Sequence, residues 1–378
     1  MPISNKFCDF MIKKPQAKKS QLDPQVIGIV GGGQLGRMIA FSAQKRGHRV
    51  VVLSNQANSP ASQVVEEVIL GDYSDEKVLK KFCDIVDIAT IEFENIPYQA
   101  ANFIAKHVDF MPSAEVLKIT QNRLLEKNFL KNLKIKTTNY IEISSLVQLE
   151  KNLKEFKKAI LKTASMGYDG KGQVVLDIKK DSTKLAQIYK NFSNQQLILE
   201  KFCSFNFEIS VIVVRSLNGE IICYDPLTNI HKNGILARSI YPSKISTKLK
   251  QKAKNIAKNI AVALDLIGVL AVEFFVVDQE LLVNELAARP HNSGHFSMDA
   301  CITSQFEQLI RAITGSKLGS VDYFASGVME NLIGSQVLEI EKYQENPLCK
   351  IHLYGKNEVK EGRKMGHVNI LNKIVKTN

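Results

Sequence analysis

Two apolar segments separated by three polar residues constrain this chain more than any other feature. Residues 271–277 read AVEFFVV, residues 281–288 read LLVNELAA, and DQE lies between them. The pattern predicts two antiparallel strands joined by a short turn. If residues 278–280 form a three-residue turn, Glu273 lies opposite Glu285 on the same face of the hairpin.

Opposed carboxylates repel each other, and a bound divalent cation is the usual reason for keeping such a pair. Mg²⁺ is commonly held by one or two carboxylates, with water and substrate phosphates completing its shell. The hairpin therefore suggests a magnesium–nucleotide site. Two alternatives stay open: a two-residue turn would pair Glu273 with Asn284, and both carboxylates of an ordinary hairpin would simply face solvent.

The length and composition indicate a soluble globular protein of two or three domains. The chain has 378 residues, of which 45% are hydrophobic and 23% are charged. No apolar run approaches the roughly 20 residues that a transmembrane helix needs. Residues 1–24 lack the apolar core of a secretory signal and predict a polar, disordered tail. The six cysteines include no C-x-x-C pair, which favours a reducing cytoplasm over a disulfide framework or a zinc ribbon.

The net charge of +12 raises the question of nucleic-acid binding. However, the lysines are spread along the chain among acidic residues, and no basic block carries interleaved aromatic residues. The charge is better explained by small anionic substrates, and we expect neither a nucleic-acid nor a membrane partner.

The order of predicted elements divides the chain into three domains. In residues 25–118, short apolar strands alternate with helices, which predicts an α/β domain with a doubly wound parallel sheet. Residues 119–315 predict a mixed domain with antiparallel strands. Residues 316–378 predict a small C-terminal cap with two short strands.

The segment GGGQLG, Gly31 to Gly36, follows a predicted strand and precedes a predicted helix, as in dinucleotide-binding proteins. Such a site also requires an acidic residue at the end of the second strand, where this chain has Leu53, Ser54 and Asn55. A nicotinamide cofactor is therefore disfavoured. The loop would instead bind a single phosphate group or have a purely structural role.

The glycine-rich segment MGYDGKG, residues 166–172, lies between two predicted strands. A Walker A loop would be followed by a helix, so this segment is of another kind. With Lys162 before it and Lys171 within it, the loop suits a lid over nucleotide phosphates. A plain hairpin turn is the alternative, because Asp-Gly is a strong turn signal.

His291 and His295 have the spacing of a helical zinc site, but Pro290 and Gly294 interrupt any helix there. Arg289 and His291 are better interpreted as a pair that holds an anion in a loop.

A second basic turn, GRKMGH, brings Arg363 and Lys364 together between glycines. It is a candidate phosphate grip, and a solvated charged loop is the alternative.

Taken in order, these segments resemble the ATP-grasp 5-(carboxyamino)imidazole ribonucleotide synthetases of purine synthesis. The resemblance covers about residues 26–370 and rests on GGGQLGRM, EFENIP, MGYDGKGQ, DPLTNIHKNGIL, VEFF, NELAARPHNSGH and GRKMGH. It implies an ATP-grasp architecture with an N-terminal doubly wound pre-ATP-grasp domain and a small C-terminal domain. The implied reaction uses ATP, Mg²⁺ and bicarbonate to carboxylate 5-aminoimidazole ribonucleotide in a cytoplasmic homodimer.

The resemblance also implies roles for individual residues. ATP contacts are implied for Arg123, Lys162, Gly167, Tyr168, Asp169, Gly170, Lys171, Gly172, Glu200, Lys201, Phe202, Cys203, Glu208, His231, Asn284 and Glu285. Mg²⁺ ligands are implied for Glu273 and Glu285, and bicarbonate contacts for Arg289 and His291. Contacts to the aminoimidazole ribonucleotide are implied for Glu92, Glu94, Tyr168, Arg363 and Lys364.

The chain departs from the family pattern at Ala288, where proline is usual, and at Asn122, where aspartate is usual. Neither is an implied ligand. Three rival functions remain: another ATP-grasp carboxylate–amine ligase, such as a formate-using glycinamide ribonucleotide enzyme, a nicotinamide oxidoreductase, and a catalytically inactive regulatory paralogue.

Overall fold

A computed structural model describes residues 24–165, 167, 172–192 and 194–374. The predicted N-terminal tail and most of the predicted lid loop, including Tyr168, Asp169, Gly170 and Lys171, lie outside the described residues.

The N-terminal region alternates strands and helices, as the sequence predicts. Its elements are β1 (Val26–Val30), α1 (Gln34–Lys45), β2 (Arg49–Ser54), β3 (Glu67–Leu70), α2 (Glu76–Cys83), β4 (Ile88–Ile91), α3 (Tyr98–Ala105) and β5 (Asp109–Phe110). The five strands form one sheet in the order β3-β2-β1-β4-β5, and every pairing is parallel. Strand β1 is central because the chain crosses over after β3, so the loop after β1 lies at the switch in strand order.

Two helices then lead into a small antiparallel sheet. The elements are α4 (Ala114–Thr120), α5 (Arg123–Asn132), β6 (Tyr140–Ile143), α6 (Leu146–Phe156), β7 (Lys158–Thr163), β8 (Gln173–Asp177), α7 (Ile178–Asp181), α8 (Leu185–Asn191) and β9 (Leu197–Lys201). The sheet has the order β6-β9-β7-β8, and the predicted lid loop joins β7 to β8. Asn122 caps α5, because its Oδ1 accepts from the backbone N–H groups of Leu124 and Leu125 at 3.0 and 3.1 Å. The unusual residue at this position therefore performs the same capping that aspartate would.

The rest of the chain is organised by one large antiparallel sheet. Its elements are β10 (Phe207–Arg215), β11 (Ile221–Cys223), β12 (Leu227–Lys232), β13 (Ile235–Tyr241), α9 (Thr247–Ala263), β14 (Gly268–Val277), β15 (Glu280–Ala287), α10 (Ser297–Ala300), α11 (Gln305–Ile313), β16 (Ala325–Ile333), α12 (Glu341–Gln344), β17 (Cys349–Leu353) and β18 (Lys364–Ile374). The strand order is β15-β14-β10-β12-β13-β16-β18-β17, with β11 paired to β10.

The prediction of two short strands in the C-terminal region was wrong. The region contributes three strands, and β16 pairs with β13 from Arg238 opposite Glu330 to Tyr241 opposite Gly327. It therefore extends the large sheet. The GRKMGH segment was also predicted as a loop, but β18 begins at Lys364, so only its first residues form a turn.

The hairpin of β14 and β15 pairs Glu273 with Glu285, as one of the two predicted registers does, but its turn and its strand pairing reach that arrangement differently. Its turn has two residues, Asp278 and Gln279, which take φ of 45° and 70° as a type I′ turn requires. The predicted three-residue turn was therefore wrong. A bulge at Asn284 then shifts the pairing by one residue, so Glu273 still lies opposite Glu285.

Candidate functional site

The opposed carboxylates on β14 and β15 form the centre of the candidate site. His291 Nε2 lies 3.2 Å from Glu273 Oε1, and Arg123 donates from Nη1 to Glu285 Oε2 at 3.0 Å. Both carboxylates are partly buried. The structure thus brings together four residues from α5, the hairpin and the loop after it, and Arg123 and Glu285 alone are 162 positions apart in the sequence.

The electrostatic environments of the two carboxylates are unequal. Burial and the charge of Glu285 raise the pKa of Glu273 to about 7. Burial also acts to raise the pKa of Glu285, but the charge and hydrogen bond of Arg123 outweigh it, so the pKa falls below its usual value. Such a pair disfavours two simultaneous negative charges, and a cation between them would relieve the repulsion.

A second charged cluster lies behind the first. Lys162 on β7 donates to Glu200 Oε1 on β9 at 3.1 Å, and Thr138 donates to the other oxygen at 3.0 Å. Lys127 on α5 lies 3.7 Å from Glu200 Oε2. Burial opposes ionisation of Glu200, but the two lysines outweigh it and lower the pKa to about 2.

Lys127 was not predicted as a site residue from the sequence. Its side chain is only 1% exposed, and it also donates to the backbone oxygen of Asn284 at 2.9 Å, beside Glu285. A lysine in the middle of an amphipathic helix is usually a surface residue, so the sequence carries no local signal for this position. The neighbouring Glu126 is buried as well, so the structure places two adjacent charged residues of this helix in the interior and not on a solvated face.

Glu208 and His231, each predicted as a nucleotide contact, are brought together by the structure. His231 Nδ1 lies 2.6 Å from Glu208 Oε2, across adjacent strands β12 and β10. Burial alone would lower the pKa of His231, but the hydrogen bond and charge of Glu208 raise it instead. Strand β9 ends at Lys201, and Phe202 and Cys203 follow it. Lys158 Nζ lies over the ring of Phe202, 3.8 Å from the ring centroid.

Arg289 crosses from the hairpin to the N-terminal domain. Its guanidinium forms a two-point ion pair with Glu94, in which Nη2 donates to Oε1 at 2.8 Å and Nε donates to Oε2. Burial and then the charge of Arg289 lower the pKa of His291 well below its usual value. The two residues of the predicted anion-holding pair thus point to different carboxylates, Glu94 and Glu273.

Glu92 is engaged by the GGGQLG loop. Gly33 donates its backbone N–H to Glu92 Oε1 at 2.8 Å, and Gly36 donates to Oε2 at 3.4 Å. Gly31 has φ of +109°, and a Cβ there would lie 2.5 Å from Glu92 Cγ, so this turn requires glycine. The start of α1 therefore already holds a carboxylate, which supports the structural role for this loop.

Lys364, at the start of β18, is one of the two basic residues of the predicted phosphate grip. Its charge contributes to lowering the pKa of His291 and opposes the rise at His231. Arg363 Nη1 donates to the backbone oxygen of Glu358 at 3.3 Å. Of the two residues of the predicted phosphate grip, Lys364 therefore acts on the histidines of the site, whereas Arg363 contacts the turn before β18.

The part of the lid loop within the described residues is small. Arg123 Nη2 donates to the backbone oxygen of Gly167 at 3.4 Å, and Thr163 N–H donates to that of Gly172 at 2.9 Å. Among the described residues, no group of three or more His, Cys, Asp or Glu side chains is arranged to hold a metal. The two carboxylates are instead the number that Mg²⁺ commonly takes from a protein when phosphates supply other ligands. In the same residues, no helix is long and apolar enough to cross a membrane.

The arrangement of sheets and site defines an ATP-grasp protein. Residues 128–306 match the ATP-grasp domain family. Residues 25–121 match the ribonucleotide synthetase preATP-grasp domain, and residues 327–377 match the phosphoribosylaminoimidazole carboxylase C-terminal domain.

The similar proteins narrow this class to one family. N5-carboxyaminoimidazole ribonucleotide synthase of Bacillus subtilis is 44% identical over 92% of this chain and 91% of its own. A Staphylococcus aureus N5-carboxyaminoimidazole synthetase in complex with ADP superimposes with a TM-score of 0.88 at 37% identity, covering 93% of this chain and 94% of its own. The Aspergillus clavatus synthase in complex with ADP and 5-aminoimidazole ribonucleotide gives 0.87 at 27% identity over 93% and 94%. The chain belongs to the N5-carboxyaminoimidazole ribonucleotide synthase family.

Proposed function

We propose that this protein carboxylates 5-aminoimidazole ribonucleotide with bicarbonate, at the expense of ATP and with Mg²⁺. The observation that carries the proposal is the opposition of Glu273 and Glu285, with His291 beside one and Arg123 beside the other. The relatives supply the substrate class, since one of them was solved with ADP and the aminoimidazole ribonucleotide together. We further propose that the protein acts in the cytoplasm as a homodimer.

In the proposed reaction, an oxygen of bicarbonate attacks the γ-phosphorus of ATP, and ADP leaves. The product, carboxyphosphate, releases phosphate and CO₂, which the amine of the ribonucleotide attacks, with loss of one proton, to give the carbamate. Mg²⁺ held by Glu273 and Glu285 would supply neutralisation of the charge on the ATP phosphates. The step needs positioning and charge neutralisation more than covalent catalysis, so no nucleophilic side chain is required.

The residues that we assign are divided by what they would bind. Glu273 and Glu285 would hold Mg²⁺, while Arg123 and Lys162 would contact the ATP phosphates. Glu208 and His231 would contact the nucleotide, and Arg289 and His291 the bicarbonate. Lys364 and Arg363 would hold the phosphate of the ribonucleotide. Arg289 and Arg123 supply the fixed positive charge that an anionic substrate requires, because guanidinium groups stay protonated.

The test is phosphate release from ATP with and without bicarbonate, using the aminoimidazole ribonucleotide or glycinamide ribonucleotide with formate. We expect release only with the first amine and bicarbonate together. Bicarbonate labelled with ¹⁸O should place one labelled oxygen in the released phosphate, because the bridging oxygen of carboxyphosphate stays with phosphorus. Activity with formate and glycinamide ribonucleotide, or unlabelled phosphate, would contradict the proposal.

A further inference from the structure

Glu285 stands on a strand whose outer edge, among the described residues, is paired only through a single bridge between Val283 and Thr137. Strand β15 is at one end of the order of the large sheet, so its outward backbone groups need other partners. Two of them come from consecutive residues of helix α5. Lys127 Nζ donates to the backbone oxygen of Asn284 at 2.9 Å, and Glu126 Oε2 accepts from the N–H of Leu286 at 2.9 Å.

These two contacts lie on either side of Glu285. The residue before Glu285 is held by the ammonium group of Lys127, and the residue after it is held by a carboxyl oxygen of Glu126. Both side chains are buried, with 1% exposure for Lys127 and 2% for Glu126. Hydrogen bonds in such low-dielectric surroundings are strong, and the bond from the Lys127 ammonium group is also charge-assisted, so the two contacts can fix the local backbone. Burial raises the pKa of the Glu126 carboxyl group to about 8, and its oxygen accepts from Leu286 in either protonation state.

The backbone at this point requires fixing. Asn284 is the extra residue of the bulge, and the turn of Asp278 and Gln279 would otherwise pair Glu273 with Asn284. A shift of one residue turns a side chain to the opposite face of a strand. Without the bulge, Glu285 would leave the face that carries Glu273.

We propose that Glu126 and Lys127 form a clamp that holds the bulge at Asn284 and thereby positions Glu285 for the bound cation. Both are positioning residues, because their side chains contact backbone groups on either side of Glu285, and Lys127 also contacts Glu200. The proposal rests on the magnesium site proposed above. It adds that the affinity for the cation depends on two residues that lie outside the metal's own ligands.

Lys127 has a second contact, with Glu200 at 3.7 Å, through which it could act on nucleotide binding instead. Glu126 has no such contact among those described, so a change there tests the clamp separately. An effect through the bulge should therefore appear in variants of both Glu126 and Lys127, whereas an effect through Glu200 should appear only in variants of Lys127.

The experiment compares Lys127→Met, Glu126→Leu and Glu126→Gln with the wild-type full chain. Lys127→Met keeps the length of the side chain and removes its donor, and Glu126→Gln keeps an oxygen that accepts from Leu286. Leu124→Ala is the control for lost stability. It removes a buried side chain of the same helix that packs with Ala164 and Ile198.

Two quantities are measured apart from turnover. The first is the affinity of the protein–ADP complex for Mn²⁺, followed by electron paramagnetic resonance. The second is hydrogen exchange of the peptide that contains β15, in the protein without ligands. ADP affinity without metal is measured as well, to detect the route through Glu200.

We expect Lys127→Met and Glu126→Leu to weaken Mn²⁺ binding by about tenfold or more, as is usual when a group that orients a metal ligand is removed. Both should speed exchange in β15, while Glu126→Gln stays near the wild type. Leu124→Ala should lower the melting temperature without changing Mn²⁺ affinity.

Two results would overturn the clamp: unchanged Mn²⁺ affinity in both Lys127→Met and Glu126→Leu, or equal losses in Glu126→Gln and Glu126→Leu. Failure of the metal site itself would look different. In that case, Glu285→Gln would bind Mn²⁺ as well as the wild type does.

Discussion

The guanidinium of Arg123 donates from Nη1 to Oε2 of Glu285 at 3.0 Å, and this contact makes the two opposed carboxylates unequal. Glu285 keeps a lowered pKa, whereas the pKa of Glu273 rises to about 7 through burial and the neighbouring charge. Before a cation binds, the negative charge of the pair is therefore concentrated on Glu285.

Glu285→Gln and Glu273→Gln should each reduce turnover by about 100-fold or more, because several kcal/mol of charge neutralisation at the phosphates are lost. Their effects on the free energy of unfolding without ligands should differ. Glu273→Gln removes repulsion and should leave stability equal or higher. Glu285→Gln removes the partner of Arg123 and should cost about 1–3 kcal/mol. Phosphate-release assays and denaturant titrations check both. Near-normal turnover of Glu285→Gln would refute the metal assignment.

For the facing carboxylates, the sequence predicted the final arrangement but not the backbone geometry that produces it. Alternation and charge predicted that Glu273 and Glu285 would share a face, and the structure confirms it. The predicted route was wrong, since a two-residue turn and a bulge replace the three-residue turn. A bulge adds one residue to a strand without changing its composition, so the pattern of apolar residues does not reveal it.

Strands with strong local patterns were predictable, and those stabilised by distant partners were not. The strand Val26–Val30, predicted before GGGQLG, is present because a run of apolar residues there ends at glycines. Leu227–Lys232 and Lys364–Ile374 carry mixed polar and basic residues, and their pairing with β10 and β16 makes them strands. Lys127 was missed for the same reason, since its partners Glu200 and Asn284 are distant in sequence.

The pairing of Glu200 with Lys162 and Lys127 predicts a pH dependence of stability. Glu200 has a pKa of about 2 in the folded protein, below its value in the unfolded chain, because the two lysines outweigh burial. The stabilisation is complete above the unfolded value of about 4.5 and is lost as the pH falls towards 2. Glu200→Gln should therefore destabilise the protein at pH 7 by on the order of 2–3 kcal/mol. The difference from the wild type should shrink between pH 5 and pH 3 in urea titrations, and a constant difference would contradict this origin.

The nucleotide preference follows from the carboxylate that the GGGQLG loop already holds. Because Gly33 and Gly36 donate to Glu92, a dinucleotide phosphate would have to displace a buried carboxylate from the start of α1. Mg²⁺ with ADP at about 100 times its dissociation constant should stabilise the protein by about 2.7 kcal/mol, and NAD should not. Thermal melting with each ligand measures this. A shift with NAD and none with ADP would reverse the interpretation of the loop.

Lys364 provides a test of the substrate end of the site. It lies at the start of β18, where its charge acts on His231 and His291, and we assign it to the phosphate of the ribonucleotide. A charge-assisted contact of about 1.5–3 kcal/mol corresponds to a factor of roughly 10–100 in affinity. Lys364→Ala should therefore raise the KM for the aminoimidazole ribonucleotide by that factor and leave the KM for ATP nearly unchanged.

Lys360, in the same turn, offers a matched control for Lys364. Its side chain is 63% exposed and pairs with Glu358 at 2.6 Å, so its charge is screened by water. Lys360→Ala removes the same charge from the same turn and should leave both KM values unchanged. If both variants raise the KM for the ribonucleotide equally, the effect is one of net charge near the site, since only a direct contact distinguishes Lys364 from Lys360. If Lys364→Ala raises only the KM for ATP, the basic turn belongs to the nucleotide end, and the assignment of Lys364 to the ribonucleotide phosphate is wrong.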